Sequence, residues 1–173
     1  MTEKTVTIFG TSRAVPGDPI YESAYTLGKL LAHAGFAIAN GGYGGTMFAA
    51  AKGAVEAGGR TIGVTCSAFS RTSNKYITHQ VNTVSLDERL DKLIELGDAY
   101  VVLAGGTGTL LELAKVWELK NKGFFKTRKP IILVGEFWQP LIDLIKTDDP
   151  DAGRYLHIAA GPDEAVEHII NNI

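Results

Sequence analysis

The chain has 173 residues, 45% of them apolar and 21% charged, with a formal net charge of −2. That length suits one domain with its own core, residues 1–173. The charge, with no lysine- or arginine-rich run, excludes a nucleic-acid binder that works by electrostatics. A single cysteine, Cys66, excludes an internal disulfide, and His33, His79, His157 and His168 offer no zinc spacing, so no metal site is expected.

The opening MTEKTVTIFG has no long apolar stretch of the kind a secretory signal carries. No apolar run approaches the length of a membrane span, so the expected compartment is the cytoplasm. Thr5–Phe9 reads as a first strand, followed by the loop GTSRAVPGDP. Ile20–His33 carries Tyr21, Ala24, Leu27, Leu30 and Leu31 at helical spacing. Phe36–Ala39 is a short strand, and NGGYGG leads from it into an alanine-rich helix, Thr46–Ala57. Thr61–Thr65 is a third strand, and Ala68–His79 is polar and irregular, a mobile loop by composition. Val81–Val84, Tyr100–Leu103 and Pro130–Val134 continue the strands. Leu86–Leu96, Thr109–Lys122 and Trp138–Lys146 are the helices that follow them. Leu156–Ala159 and Pro162–Asn171 close the chain as strand and helix.

Short apolar strands alternating with helices predict an α/β fold: a Rossmann-like, doubly wound parallel sheet in one three-layer domain. In such sheets ligands sit beyond the carboxyl ends of the strands. Two glycine clusters fall there, Gly41-Gly42-Tyr43-Gly44-Gly45 and Gly105-Gly106-Thr107-Gly108. Each precedes a helix, whose first N–H groups and dipole make an anion site suited to phosphate. Gly42, Gly44, Gly45 and Thr46 in one cluster are candidate ligand contacts, as are Gly105, Gly106, Thr107, Gly108 and Thr109 in the other. Gly10, Thr11 and Ser12 of the segment GTSR form a candidate third wall. Neither cluster is a Walker A loop or a full dinucleotide fingerprint, so phosphate is indicated without ATP or NAD. The alternative for each cluster is a tight turn with a good helix start.

Two charges sit in apolar company. Arg89 falls within the stripe of Leu86, Leu90, Leu93, Ile94 and Leu96. It snorkels at the stripe's edge, pairs with a nearby acid, or faces a crevice, where its planar fork would meet an anionic or hydrogen-bonding ligand. Glu112 follows the second glycine cluster. Thr109-Leu110-Leu111-Glu112 fits a capping box, and Lys115 lies within pairing reach. Yet the helix is apolar nearly all round, which predicts burial and makes Glu112 a crevice carboxylate as readily as a cap.

GGYGGTM, the Asp-Glu-Arg segment at 87–89 and AGGTGTLLE together resemble the LOG family over roughly Thr5 to Lys146. That family's signature Pro-Gly-Gly-x-Gly-Thr-x-x-Glu is matched from Gly105 through Glu112, with Ala104 in place of the proline. Its Met-His-x-Arg-Lys segment is matched by Leu86-Asp87-Glu88-Arg89-Leu90, which keeps the arginine. The resemblance implies a Rossmann-like fold and a homodimer or higher homo-oligomer. It implies a nucleoside 5′-monophosphate phosphoribohydrolase with Arg89 and Glu112 catalytic and the Gly105–Thr109 loop on the 5′-phosphate. Such hydrolysis needs no metal or redox cofactor. A related branch carries the molybdenum cofactor, whose phosphate would use the same loops, and the departures at Ala104 and Leu90 leave that non-catalytic reading open.

Overall fold

The computed structural model describes residues 3–173. Seven strands form one parallel sheet: β1 (Thr5–Phe9), β2 (Ala37–Asn40), β3 (Thr61–Cys66), β4 (His79–Thr83), β5 (Ala99–Val102), β6 (Ile131–Val134) and β7 (Leu156–Ala159). Their order in space is β4-β3-β2-β1-β5-β6-β7. Six helices flank them: α1 (Pro19–His33), α2 (Thr46–Glu56), α3 (Leu86–Leu96), α4 (Thr107–Asn121), α5 (Gln139–Lys146) and α6 (Pro162–Ile170), the first five joining strands and α6 following β7.

The strands alternate between two cores. Val6 and Ile8 of β1 and Val101 of β5 pack with α1, α2 and α6. Phe9, Tyr100 and Val102, one residue out of step, pack with α3, α4 and α5. With apolar side chains on both faces, the sheet is covered on both sides, as a parallel sheet requires. Polar atoms inside are paired, with His157 Nε2 the exception among the described residues. The Thr7 hydroxyl donates to the Leu93 carbonyl at 3.0 Å and the Tyr100 hydroxyl to that of Ile94 at 2.7 Å, closing the end of α3 against the sheet.

Two features differ from the sequence expectation. β4 begins at His79, two residues earlier than the apolar pattern suggests, because it is an edge strand with little burial before Thr83. Residues 67–78 are the crossover between parallel neighbours β3 and β4, where a helix is usual. Here the crossover is a short 3-10 turn, Ser67–Phe69, and a loop tied down at Asn74. The Asn74 backbone N–H donates to the Gly42 carbonyl at 2.8 Å, and its side-chain amide donates to the Gly42 and Tyr43 carbonyls. The segment therefore has a defined path over the first glycine cluster.

The chain winds outward from β1 through β4, then returns to β5 on the other side of β1. The carboxyl ends of β1 and β5 mark that reversal, the place where an open α/β sheet leaves a crevice.

Candidate functional site

A cleft of about 740 Å³ opens at that reversal. One wall is the loop after β1, held in place by backbone bonds: the Thr11 N–H donates to the Ala104 carbonyl at 3.2 Å, and the Thr11 carbonyl accepts from Thr46 N–H at 2.9 Å. The other wall is the loop after β5 and the start of α4. Of the expected contacts, Gly10, Thr11, Ser12, Arg89, Gly105, Gly106, Thr107, Gly108, Thr109 and Glu112 all line the cleft.

The first glycine cluster contributes differently. Gly42, Gly45 and Thr46 are not on the cleft wall. The Thr46 N–H and hydroxyl are both consumed by the Thr11 carbonyl, and the Gly42 N–H by the side-chain oxygen of Asn40 at 2.8 Å. The Gly42 and Thr46 amides are therefore not free for an anion. Gly45, at φ 65°, has the backbone of Thr11 and Ser12 where a Cβ would stand. At these positions the tight-turn reading is the one the geometry supports. Gly44 faces a smaller adjoining hollow.

The second cluster faces the ligand space. At Gly106 and Gly108 a Cβ would meet nothing within 4 Å, and neither residue has positive φ. Nothing in the chain requires glycine at either place. Both open into the cleft at the N-terminus of α4, whose Gly106 cap supplies no side chain to the free amides.

Arg89 and Glu112 meet at the floor. Arg89 is 8% exposed, and its Nε donates to the Val64 carbonyl of β3 at 2.9 Å. Its guanidinium lies 5.6 Å from the ring centres of both Tyr43 and Phe69. Gly41 matters here for space, since a Cβ on it would collide with Nη2 of Arg89. The Tyr43 ring is itself fixed, its hydroxyl accepting from the Cys66 N–H at 2.9 Å. Nη1 of Arg89 stands 3.9 Å from Oε1 of Glu112, an ion pair without a close hydrogen bond. Burial pushes the Glu112 carboxyl up to about 7, against the opposing pull of the Arg89 charge.

The capping-box expectation for Glu112 fails. α4 begins at Thr107, so Thr109 is its third residue and Glu112 lies in the second turn, out of reach of the cap. Lys115 pairs with Asp91 instead. The working box is on α3, where Ser85 Oγ accepts from the Glu88 N–H at 3.1 Å and Glu88 returns to the Val84 N–H at 2.8 Å. Nor is α4 buried all round, because Leu110 and Leu111 are exposed.

A family model described as possible lysine decarboxylase matches residues 47–169, most of the chain. The cytokinin riboside 5′-monophosphate phosphoribohydrolase of Rhodococcoides fascians is 28% identical over 151 residues, 84% of this chain and 75% of that protein. The one named LOG from Oryza sativa subsp. japonica is 32% identical over 127 residues, 72% of this chain and 52% of that protein. The chain belongs to the LOG family. Among solved structures, the molybdenum cofactor binding protein from the phototrophic bacterium Rippkaea orientalis is 28% identical, with a TM-score of 0.79 over 99% of this chain and 98% of that one. The molybdenum cofactor carrier protein of Chlamydomonas reinhardtii, at 24% identity and a TM-score of 0.75, shares the fold.

The LOG signature maps onto this geometry as one continuous piece, from the loop at Gly105 to the floor at Glu112. Sequence reasoning missed several other members of this LOG-family cleft. Ile20, Tyr43, Met47, Phe69, Arg71 and Phe137 also line it, as does Arg13 at the end of the GTSR segment. Arg71 and Phe69 come from the crossover, whose polar composition gave no sign that it turned inward. Among the described residues no group of His, Cys, Asp and Glu could hold a metal ion, and no helix is long and apolar enough to cross a membrane.

Proposed function

We propose that this chain is a nucleoside 5′-monophosphate phosphoribohydrolase, splitting the N-glycosidic bond to free base and ribose 5-phosphate. One observation carries the reading. Two glycines that the fold does not need, Gly106 and Gly108, open the same cleft whose floor holds a largely buried, ion-paired carboxylate. The phosphate goes to the Gly105–Thr109 loop and positions the sugar by binding energy remote from the reacting carbon. Cleavage develops positive charge on the ribose, as in glycoside hydrolysis. Ionised Glu112 stabilises that charge and orients the attacking water; Arg89 orients Glu112 and hydrogen-bonds the sugar. The chemistry asks for no metal or redox cofactor. The similarity to named phosphoribohydrolases supports this reading.

Incubation with a panel of nucleoside 5′-monophosphates, assayed for ribose 5-phosphate, tests it. Release that vanishes in Glu112→Gln is expected. Because the ionised carboxyl is the working form, kcat should rise with pH through about 7 and level off above. A rate that instead falls through that range would make Glu112 an acid toward the leaving base.

The second reading is a carrier that binds a phosphorylated ligand such as molybdenum cofactor without turnover. The match to the Rippkaea orientalis protein over nearly the whole of both chains favours it, as does Ala104 in place of the signature proline. Absence of ribose 5-phosphate from every substrate, with stoichiometric retention of the cofactor, would select it. Under either reading the exposed pair Leu110 and Leu111 is the surface we assign to a second copy, giving a cytoplasmic homo-oligomer. Light scattering of Leu111→Glu should then show a smaller particle than the parent.

A further inference from the structure

The cleft does not end at Tyr43. Beyond that ring lies a second hollow of about 530 Å³, which shares Ser12, Tyr43 and Arg71 with the first. Its lining residues other than Gly44 all carry a polar group. Arg71 is exposed, forms no ion pair and donates no hydrogen bond to another residue among those described, and the exposed hydroxyls of Ser12, Ser70 and Thr72 are likewise free.

Two backbone observations show that the hollow is built. Ser70 has φ 47° and ψ 38°, a left-handed conformation that a residue with a side chain seldom adopts. That turn lets neighbours Phe69 and Arg71 both reach the cleft, while Asn74 anchors the segment beyond them. Gly44 lines the same hollow as Arg71. Its φ is not positive, and a Cβ there would touch only the Ser12 carbonyl at an ordinary 3.7 Å. Like Gly106 and Gly108, it is a glycine the fold does not demand, and it faces ligand space.

We infer that this hollow is a second oxyanion subsite and that Arg71 is its specificity-determining residue. The ligand then carries two oxyanions, a phosphate ester on the Gly105–Thr109 loop and a second one against Arg71. A permanently charged planar fork beside free hydroxyls and a bare backbone suits an oxyanion better than an apolar tail. The inference rests on the phosphate-loop reading above. The second oxyanion has two chemical sources: a second phosphate monoester on the sugar, or the outer phosphate of a diphosphate.

Calorimetry in the Glu112→Gln background, which prevents turnover, tests it with AMP, adenosine 3′,5′-bisphosphate and ADP as probes. One of the two doubly phosphorylated probes should bind at least about tenfold more tightly than AMP, the worth of one charge-assisted contact. Which probe gains identifies the source. Arg71→Ala and Gly44→Val should each erase that excess and leave AMP within about twofold. The inference is overturned if neither probe exceeds AMP, if the excess survives both variants, or if Arg71→Ala weakens AMP as much as the others. Gly106→Val separates the two levels. AMP binding that is lost there, with no gain from a second phosphate, sinks the second subsite alone. AMP that fails to bind the parent, or binds Gly106→Val equally well, sinks the phosphate loop and this inference with it.

Discussion

The two glycine loops look alike in sequence and do opposite work. Gly41, Gly42 and Gly45 are consumed by the protein: Gly41 clears space for the Arg89 guanidinium, Gly42 and Gly45 take positive φ, and the Gly42 and Thr46 amides are already bonded; Gly44 is the one glycine of that cluster left unspent. Gly105–Gly108 is mostly unspent, with two positions that meet no atom of the chain. On a cleft wall, a glycine required by neither φ nor crowding leaves room for a ligand; Gly161, equally unconstrained, caps α6 away from the cleft. The first loop builds the site; the second meets what enters it.

The sharpest test of that division acts beneath both loops. Glu112→Gln should cut kcat by about a thousandfold while leaving phosphate affinity intact. It should also melt higher than the parent at pH 8, by up to about 3 kcal/mol, because a buried ionised carboxylate no longer has to be housed. The native carboxyl takes its proton at about 7 and the unfolded one near 4.5, so the gap should shrink as pH falls through that window and vanish below it.

Gly41→Ala should lower kcat about 10- to 100-fold with KM little changed, since it displaces Arg89 and not the phosphate loop. Steady-state kinetics reads the split; a rise in KM alone would move the first loop into the binding role. Gly106→Val should do the reverse, weakening phosphate affinity about tenfold with an unchanged melting temperature. The smallest effects are in stability. Gly45→Ala, at φ 65° against the Thr11 and Ser12 backbone, should cost about 2 kcal/mol or more. Gly108→Ala, in the open first turn of α4, should gain about 0.5 kcal/mol. Denaturant melts that failed to separate these two would erase the contrast between the loops.

Much of this was legible in the chain because it is local. The strand–helix alternation, the two loops and the α3 stripe that includes Arg89 each depend on neighbours a few residues apart. Thr109–Glu112 shows the limit of local reading. It has the letters of a capping box, but the helix starts two residues earlier, at Thr107, so the box belongs to Ser85–Glu88. Letters do not decide the first turn of a helix when a glycine loop can enter it at several points. The crossover is the opposite failure. Its serines and threonines read as a solvent loop, yet Asn74 binds it to the first glycine loop and carries Phe69 and Arg71 inward.

By itself the sequence determined the layers, the family and the two charges that matter, since apolar period and motif spacing are properties of the chain. Tertiary structure alone decided which glycines serve the fold and which open into the cleft. That depends on what stands opposite each Cα: Arg89 opposite Gly41, and open cleft opposite Gly106 and Gly108. It also decided the state of Glu112, because a carboxyl is pushed up to about 7 only by burial that distant residues supply.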